Sequence, residues 1–184
     1  MLEKSRKTAM KQRLAGLSGI VAWALCLILA APVVSVQAAG PVGEGVPLAT
    51  DLKNDAELAK QKKGVVLVLF SQEHCGYCQR VLNEFLIPMS RNMEYQQKLV
   101  MRDIDSRGST MMRDFDGKLV DHNQFSRKHG VRMVPSVMLF DTEGRRLTKP
   151  LIGLSTVDYY GSYLDDAIDQ AIDKVKTAVA ATAK

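Results

Sequence analysis

An α/β domain, with a central mixed β-sheet flanked by α-helices, is the fold class that this sequence predicts, and three features point to it. Helical and strand patterns alternate along the chain, the order expected when helices and strands form separate layers over one core. Val65-Val66-Leu67-Val68-Leu69-Phe70 is an unbroken β-branched and apolar run, as in a strand covered on both faces. Ser136 to Phe140 and Arg145 to Ile152 read as an antiparallel pair joined by Asp141-Thr142-Glu143-Gly144. The 184 residues suffice for one domain of ordinary size with a tail, and 46% hydrophobic with 24% charged residues is a globular composition.

The elements follow in order. Residues 1–38 read as an address. Lys4, Arg6, Lys7, Lys11 and Arg13 precede an uncharged run from Leu14 to Val36, and Val36-Gln37-Ala38 places small residues where a signal peptidase cuts. A retained membrane anchor is the competing reading, since the 23 uncharged residues could span a bilayer, whereas Pro32 and the small residues after it favour cleavage. Both readings send residues 39–184 across the membrane, so the expected location is periplasmic. Cys26, preceded by Leu25 rather than a small residue, reads as apolar filler. Removal of this segment cancels most of the formal charge of +5, leaving 20 basic against 19 acidic residues and no basic stripe for nucleic acid.

Residues 39–49, rich in Gly and Pro, predict an extended and mobile lead-in. Thr50 or Asp51 can cap a helix running to Lys62, with Leu52, Ala56 and Ala59 on one face and Gly64 as terminator. After the strand at 65–70 a second helix begins around Cys75, with Val81, Leu82 and Phe85 on its apolar side; Pro88 must kink it or sit in the first turn of a restart. Leu99 to Ile104 predicts a strand, and Asp116-Gly117 a small hairpin between Met111-Met112 and Leu119-Val120. A short helix over 123–129 ends at Gly130. Beyond the strand pair, Ser155 or Thr156 caps a last helix through about Val175, and 177–184 is expected to fray.

Chemistry concentrates at Cys75-Gly76-Tyr77-Cys78. Two cysteines three positions apart at a helix start face the same side, and the first sits where free backbone N–H groups and the helix dipole favour negative charge. Cys75 is thus the expected thiolate and Cys78 the resolving thiol, a pair that cycles without a cofactor. A structural disulfide explains the spacing poorly, because so short a loop removes little unfolded-state entropy. A zinc site would need two more ligands from His74, His122 and His129 alone. Copper(I) carried on the two sulfurs is chemically reasonable and stays open.

A strand, Cys-x-x-Cys at a helix start, Val134-Pro135 opening a strand and Gly153-Leu154-Ser155 before the last helix, in that order, resemble the thioredoxin superfamily over roughly residues 50–176. The resemblance implies a thioredoxin-like sandwich with an insertion, around 105–123, before a cis-proline loop. It makes Pro135 the cis-proline packed against the cysteines and Val134 the residue whose backbone pairs with a substrate strand, and the place of Tyr77 beside the sulfurs implies substrate contact. Gly76-Tyr77 matches the dipeptide of the periplasmic disulfide isomerases, and the long interval from Cys78 to Pro135 is similar to periplasmic thioredoxin-like proteins, including those linked to sulfur oxidation. No room exists ahead of residue 50 for the isomerases' dimerisation domain, so a monomer is expected.

Two departures bear on mechanism. Where thioredoxin has a buried acid six residues before the first cysteine this chain has Leu69, and where thioredoxin has tryptophan directly before that cysteine it has His74. Glu73 or a water could take over the proton handling, and His74, Gly76 and Glu73 are candidates to tune the Cys75 thiolate. The expected activity is thiol–disulfide exchange on exported proteins, reducing or isomerising their disulfides, with a membrane electron-transfer protein as reductant. Donation of a disulfide to folding proteins is the runner-up, and a copper metallochaperone using the same cysteines is the rival from another class.

Overall fold

The computed structural model describes residues 45–154 and 156–182; the expected signal segment, the first part of the lead-in and the Ser155 cap lie outside the described residues. The elements are α1 (Leu52–Gln61), β1 (Val65–Ser71), α2 (Gly76–Arg80), a π-helical turn (Val81–Leu86), α3 (Ile87–Arg91), α4 (Met93–Lys98), β2 (Leu99–Asp105), β3 (Met111–Arg113), β4 (Leu119–Asp121), α5 (His122–Lys128), β5 (Ser136–Phe140), β6 (Leu151–Ile152) and α6 (Val157–Thr182). The main sheet has the order β2-β1-β5-β6, with β1 and β2 parallel and the other pairs antiparallel; β3 and β4 form a separate hairpin. The expected mixed sheet with flanking helices is therefore present.

β1 is buried at all of its positions, as its unbroken apolar run requires. Its alternate residues feed two cores. Val65, Leu67 and Leu69 pack with Val81, Leu86, Leu164 and Ile168, between the sheet and the helices that follow Cys75 and end the chain. Val66, Val68 and Phe70 pack with Leu52, Ala59 and Phe125, and also with Met112 and Val120 of the hairpin. The insertion around 105–123 is thus part of the second core, with Met112 only 1% exposed.

Local chemistry explains the helix boundaries. Asp51 caps α1, its carboxylate accepting the Asn54 N–H at 2.9 Å. Within α1, Asp55 is held by Arg102 of β2, whose Nε lies 2.9 Å from the carboxylate, while burial still pushes the Asp55 carboxyl upward. A Cβ at Gly64 would lie 2.2 Å from the Lys98 carbonyl oxygen, so the turn into β1 admits glycine alone. Pro88 has no N–H to give and its ring crowds the carbonyl four residues back. The chain responds with the π turn, in which the Ile87 N–H reaches Leu82, and Pro88 then sits at the start of α3.

The structure corrects three expectations and adds one element. The strand expected over 145–152 is only β6, with Arg146 bridging Phe140 by itself; Pro150 offers no N–H to the ladder. Helix α6 continues to Thr182 instead of fraying from 177, in keeping with the high helix propensity of Ala178, Ala180 and Ala181. The end of the lead-in is docked: the Ala49 N–H donates to the Asp103 carbonyl at 2.8 Å and the Asp103 N–H to Pro47 at 2.9 Å. Its anchor is buried His122, whose Nδ1 accepts the Asp105 N–H at 3.2 Å while Nε2–H donates to the Ala49 carbonyl at 2.8 Å. Helix α4, capped by Asn92, is an element that the sequence reading did not assign.

His129 stands between Phe125 and Phe140, with ring centroids 4.3 and 5.0 Å away, and its Nε2 is buried without a hydrogen-bond partner. Burial, helped by Lys128 and Arg146 and opposed by Asp114, pulls its pKa from 6.5 down to about 4. The unfolded chain therefore takes up this proton at a higher pH than the folded one. The contribution to stability is complete above about pH 6.5 and is lost as pH falls toward 4. Urea denaturation of His129→Leu and the parent chain at pH 7 and pH 4.5 should show the parent losing on the order of 2 kcal/mol more than the variant on acidification, after screening by solvent.

Candidate active site

β1 delivers the chain to a tight turn ahead of α2. The Cys75 N–H donates to the Gln72 carbonyl at 3.3 Å, and the Cys75 carbonyl accepts the Gln79 N–H at 3.1 Å, so Cys75 is the residue at which the helix begins. His74 takes a φ of +59°, the left-handed region that a non-glycine residue occupies only when its neighbours enforce it. This reversal leaves Cys75 extended at the cap position, where its Sγ accepts the Cys78 N–H at 3.2 Å.

Cys75 and Cys78 form a disulfide, with Cα atoms 5.2 Å apart. Their environments differ: Cys78 is 1% exposed on the core side of the helix, whereas Cys75 is half-buried. On reduction, only the Cys75 sulfur faces incoming molecules, and it is the one that receives a backbone N–H at the helix start. Tyr77 is 63% exposed beside it. Nothing lies within 4 Å of a Cβ built on Gly76, so packing does not demand glycine there.

The opposite wall comes from β5. Phe70 pairs with Ser136, which brings Pro135 to the Ser71 end of β1, the end that carries the cysteines. The Val134–Pro135 bond is cis, as the resemblance implies. Two hydrogen bonds fix this loop: Gly153 N–H to the Pro135 carbonyl at 2.7 Å and the Ser136 hydroxyl to the Met133 carbonyl at 2.7 Å. Pro135 is buried and Val134 half-buried.

The tuning candidates lie apart from the buried chemistry. Glu73 and His74 are exposed, and neither side chain forms a hydrogen bond or ion pair with another described residue. Glu73 is therefore not a buried acid of the kind that Leu69 displaces. The sequence reading missed another carboxyl. Asp103 pairs in parallel register with Leu69, two residues past Met101 and so on the sheet face that packs against Val81. Burial raises its pKa, against the lowering effect of a Ser71 hydrogen bond, and its Oδ1 is buried without a partner. The signal was available only through the pairing of β1 with β2. Of the three histidines a zinc site would draw on, His122 is committed to the lead-in, His129 stands between Phe125 and Phe140, and only His74 adjoins the cysteines; among the described residues no three His, Cys, Asp or Glu side chains group as metal ligands.

Comparison with known proteins places the chain. The family model for the thioredoxin-like domain matches residues 52–168. No curated protein matches the sequence. Among solved structures, a thioredoxin from Malassezia sympodialis is 21% identical, with 72% of this chain and 96% of that one covered and a TM-score of 0.44. A mutant thioredoxin from Halobacterium salinarum is 21% identical over 70% of this chain and 96% of that one, TM-score 0.40. Thioredoxin f from spinach chloroplast, short form, is 16% identical over 70% and 95%, TM-score 0.47. With the family model matching over half of its length and a cysteine pair at the start of a helix, the chain belongs to the thioredoxin-like domain family and is a thiol–disulfide oxidoreductase.

Proposed function

We propose that the protein reduces or isomerises disulfides of exported proteins outside the cytoplasm. The observation that carries this reading is the asymmetry of the pair: a half-exposed Cys75 sulfur at the helix start and a buried Cys78 behind it. The Cys75 thiolate attacks one sulfur of a partner's disulfide, that S–S bond breaks, and the partner's other sulfur leaves as a thiolate that takes a proton. Cys78 then gives up its proton and attacks the Cys75 sulfur. The intermolecular bond breaks, the partner departs with both sulfurs reduced, and two electrons have left the Cys75–Cys78 pair.

Return to the dithiol needs an electron source, and in a disulfide-forming compartment a membrane electron-transfer protein supplies it. The basic and apolar N-terminal segment supports the location. Val134 and Pro135 offer backbone to an extended partner segment, and Tyr77 flanks it. This reading gives Asp103 the proton of Cys78, since it is the carboxyl on the sheet face toward that helix, and leaves Glu73 as a solvated loop residue.

In cells, Cys78→Ser should accumulate covalent complexes with exported proteins that disappear on reduction, and adding Cys75→Ser should abolish them; a trap free of partners would refute the exchange reading. Equilibration of the pair against dithiothreitol, read by alkylation and mass, should give a potential near about −270 mV for a reductant, whereas about −120 mV would identify a disulfide donor. In insulin reduction, Asp103→Asn should slow turnover about tenfold and alter its pH profile, while Glu73→Gln stays within about twofold of the parent.

A further inference from the structure

Between Gln72, in the turn before Cys75, and Val134, beside Pro135, lies a polar cavity of about 310 Å³ whose lining includes three arginines, Arg107, Arg127 and Arg132. They come from three separate segments: the turn after β2, helix α5, and the loop leading to Pro135. No Asp or Glu lines the cavity. The ion pairs among the described residues engage other cations. Arg127 is oriented by a hydrogen bond to Asn123, and Asp105, the acid next to this turn, gives its Oδ1 to the backbone N–H of Arg107.

Three arginines around one cavity that no acid lines make it electropositive, and the ligand this favours is an anion that accepts their N–H groups. The cavity's position identifies the source of that anion. Gln72, whose carbonyl holds the Cys75 N–H, lines one side, and Val134, bonded to Pro135, lines the other. A polypeptide whose disulfide reaches Cys75 between Gln72 and Val134 brings side chains within a few residues of its reacting cysteine to this opening.

We propose that this cavity is a specificity subsite for acidic residues flanking the disulfide of the partner protein. The inference rests on the exchange reading above and names the substrate class for it. It makes the arginines positioning groups for the substrate and gives them no part in bond exchange.

The test uses the full chain and two disulfide-linked peptides that differ only in carrying Glu or Gln at the three positions after the reacting cysteine. At low salt kcat/KM should favour the Glu peptide about tenfold, mainly through KM, and the ratio should shrink as salt is raised. Arg132→Gln and Arg107→Gln should each cut the ratio, and Arg132→Glu should move the preference to a Lys peptide. Binding is read separately, from fluorescence anisotropy of the oxidised protein with labelled Glu and Gln peptides that carry Ser in place of Cys. A Glu preference there upholds the subsite even if neither disulfide peptide is turned over, in which case the exchange reading is what fails. Equal binding of the two Ser peptides overturns the subsite, as does a Glu preference that survives both arginine substitutions. A gain confined to glutathione disulfide, whose carboxylates belong to a small molecule, overturns it as well.

Discussion

The burial of β1 on both faces is the constraint on which the rest of the structure depends. A slip of one residue in its pairing would exchange the two sets of side chains between two different cores, so the register is strongly fixed. Hydrogen bonding to β2 on one side and β5 on the other anchors its C-terminal end. From that end the chain runs forward into Cys75, while β5 brings Pro135 to the same place from the opposite direction. The reactive sulfur and the proline loop are therefore placed by one rigid strand, and the loops between them need little internal stiffness of their own.

The two faces of the sheet divide the labour. One packs the helices that carry the cysteines and end the chain. The other packs the β3–β4 hairpin and α5 through a group of aromatic rings, Phe70 and Phe140 of the sheet meeting Phe125 and Phe115. Val131 and Val134 rest against this second core, to which Met112 and Val120 of the hairpin also belong. Gly130, with a φ of +72°, ends α5 and turns the chain into that loop.

What the sequence made legible was whatever a local pattern encodes. The buried strand, the cysteine pair at a helix start, the turn at Asp116-Gly117 and the hairpin at Asp141 to Gly144 each carry their signal within a few residues. The Asp141 carboxylate accepting the Glu143 and Arg145 N–H groups, both at 2.9 Å, is such a signal made visible. The missed features need the third dimension. Asp103 becomes a partly buried acid with an unpartnered Oδ1 only when β2 is registered against Leu69, the lead-in is held by a histidine distant in sequence, and the three arginines come to line one cavity only after α5 and the proline loop are folded. The end of α6 was misjudged for a different reason: weak hydrophobic patterning concealed good intrinsic helix formers.

The docked lead-in has a consequence for how the folded molecule meets its own copies. It lies along the outer edge of β2, where an unpaired strand would otherwise invite another chain. Farther along that edge, cationic side chains occupy the backbone acceptors: the Lys62 ammonium takes the Leu99 carbonyl at 3.3 Å and the Arg102 guanidinium the Met101 carbonyl at 2.7 Å. The other margin of the sheet ends in a strand of two residues next to a proline. Neither border offers a long template for strand addition, so assembly into cross-β aggregates has to begin with local unfolding, and resistance to it is set by how firmly residues 47–49 stay in place.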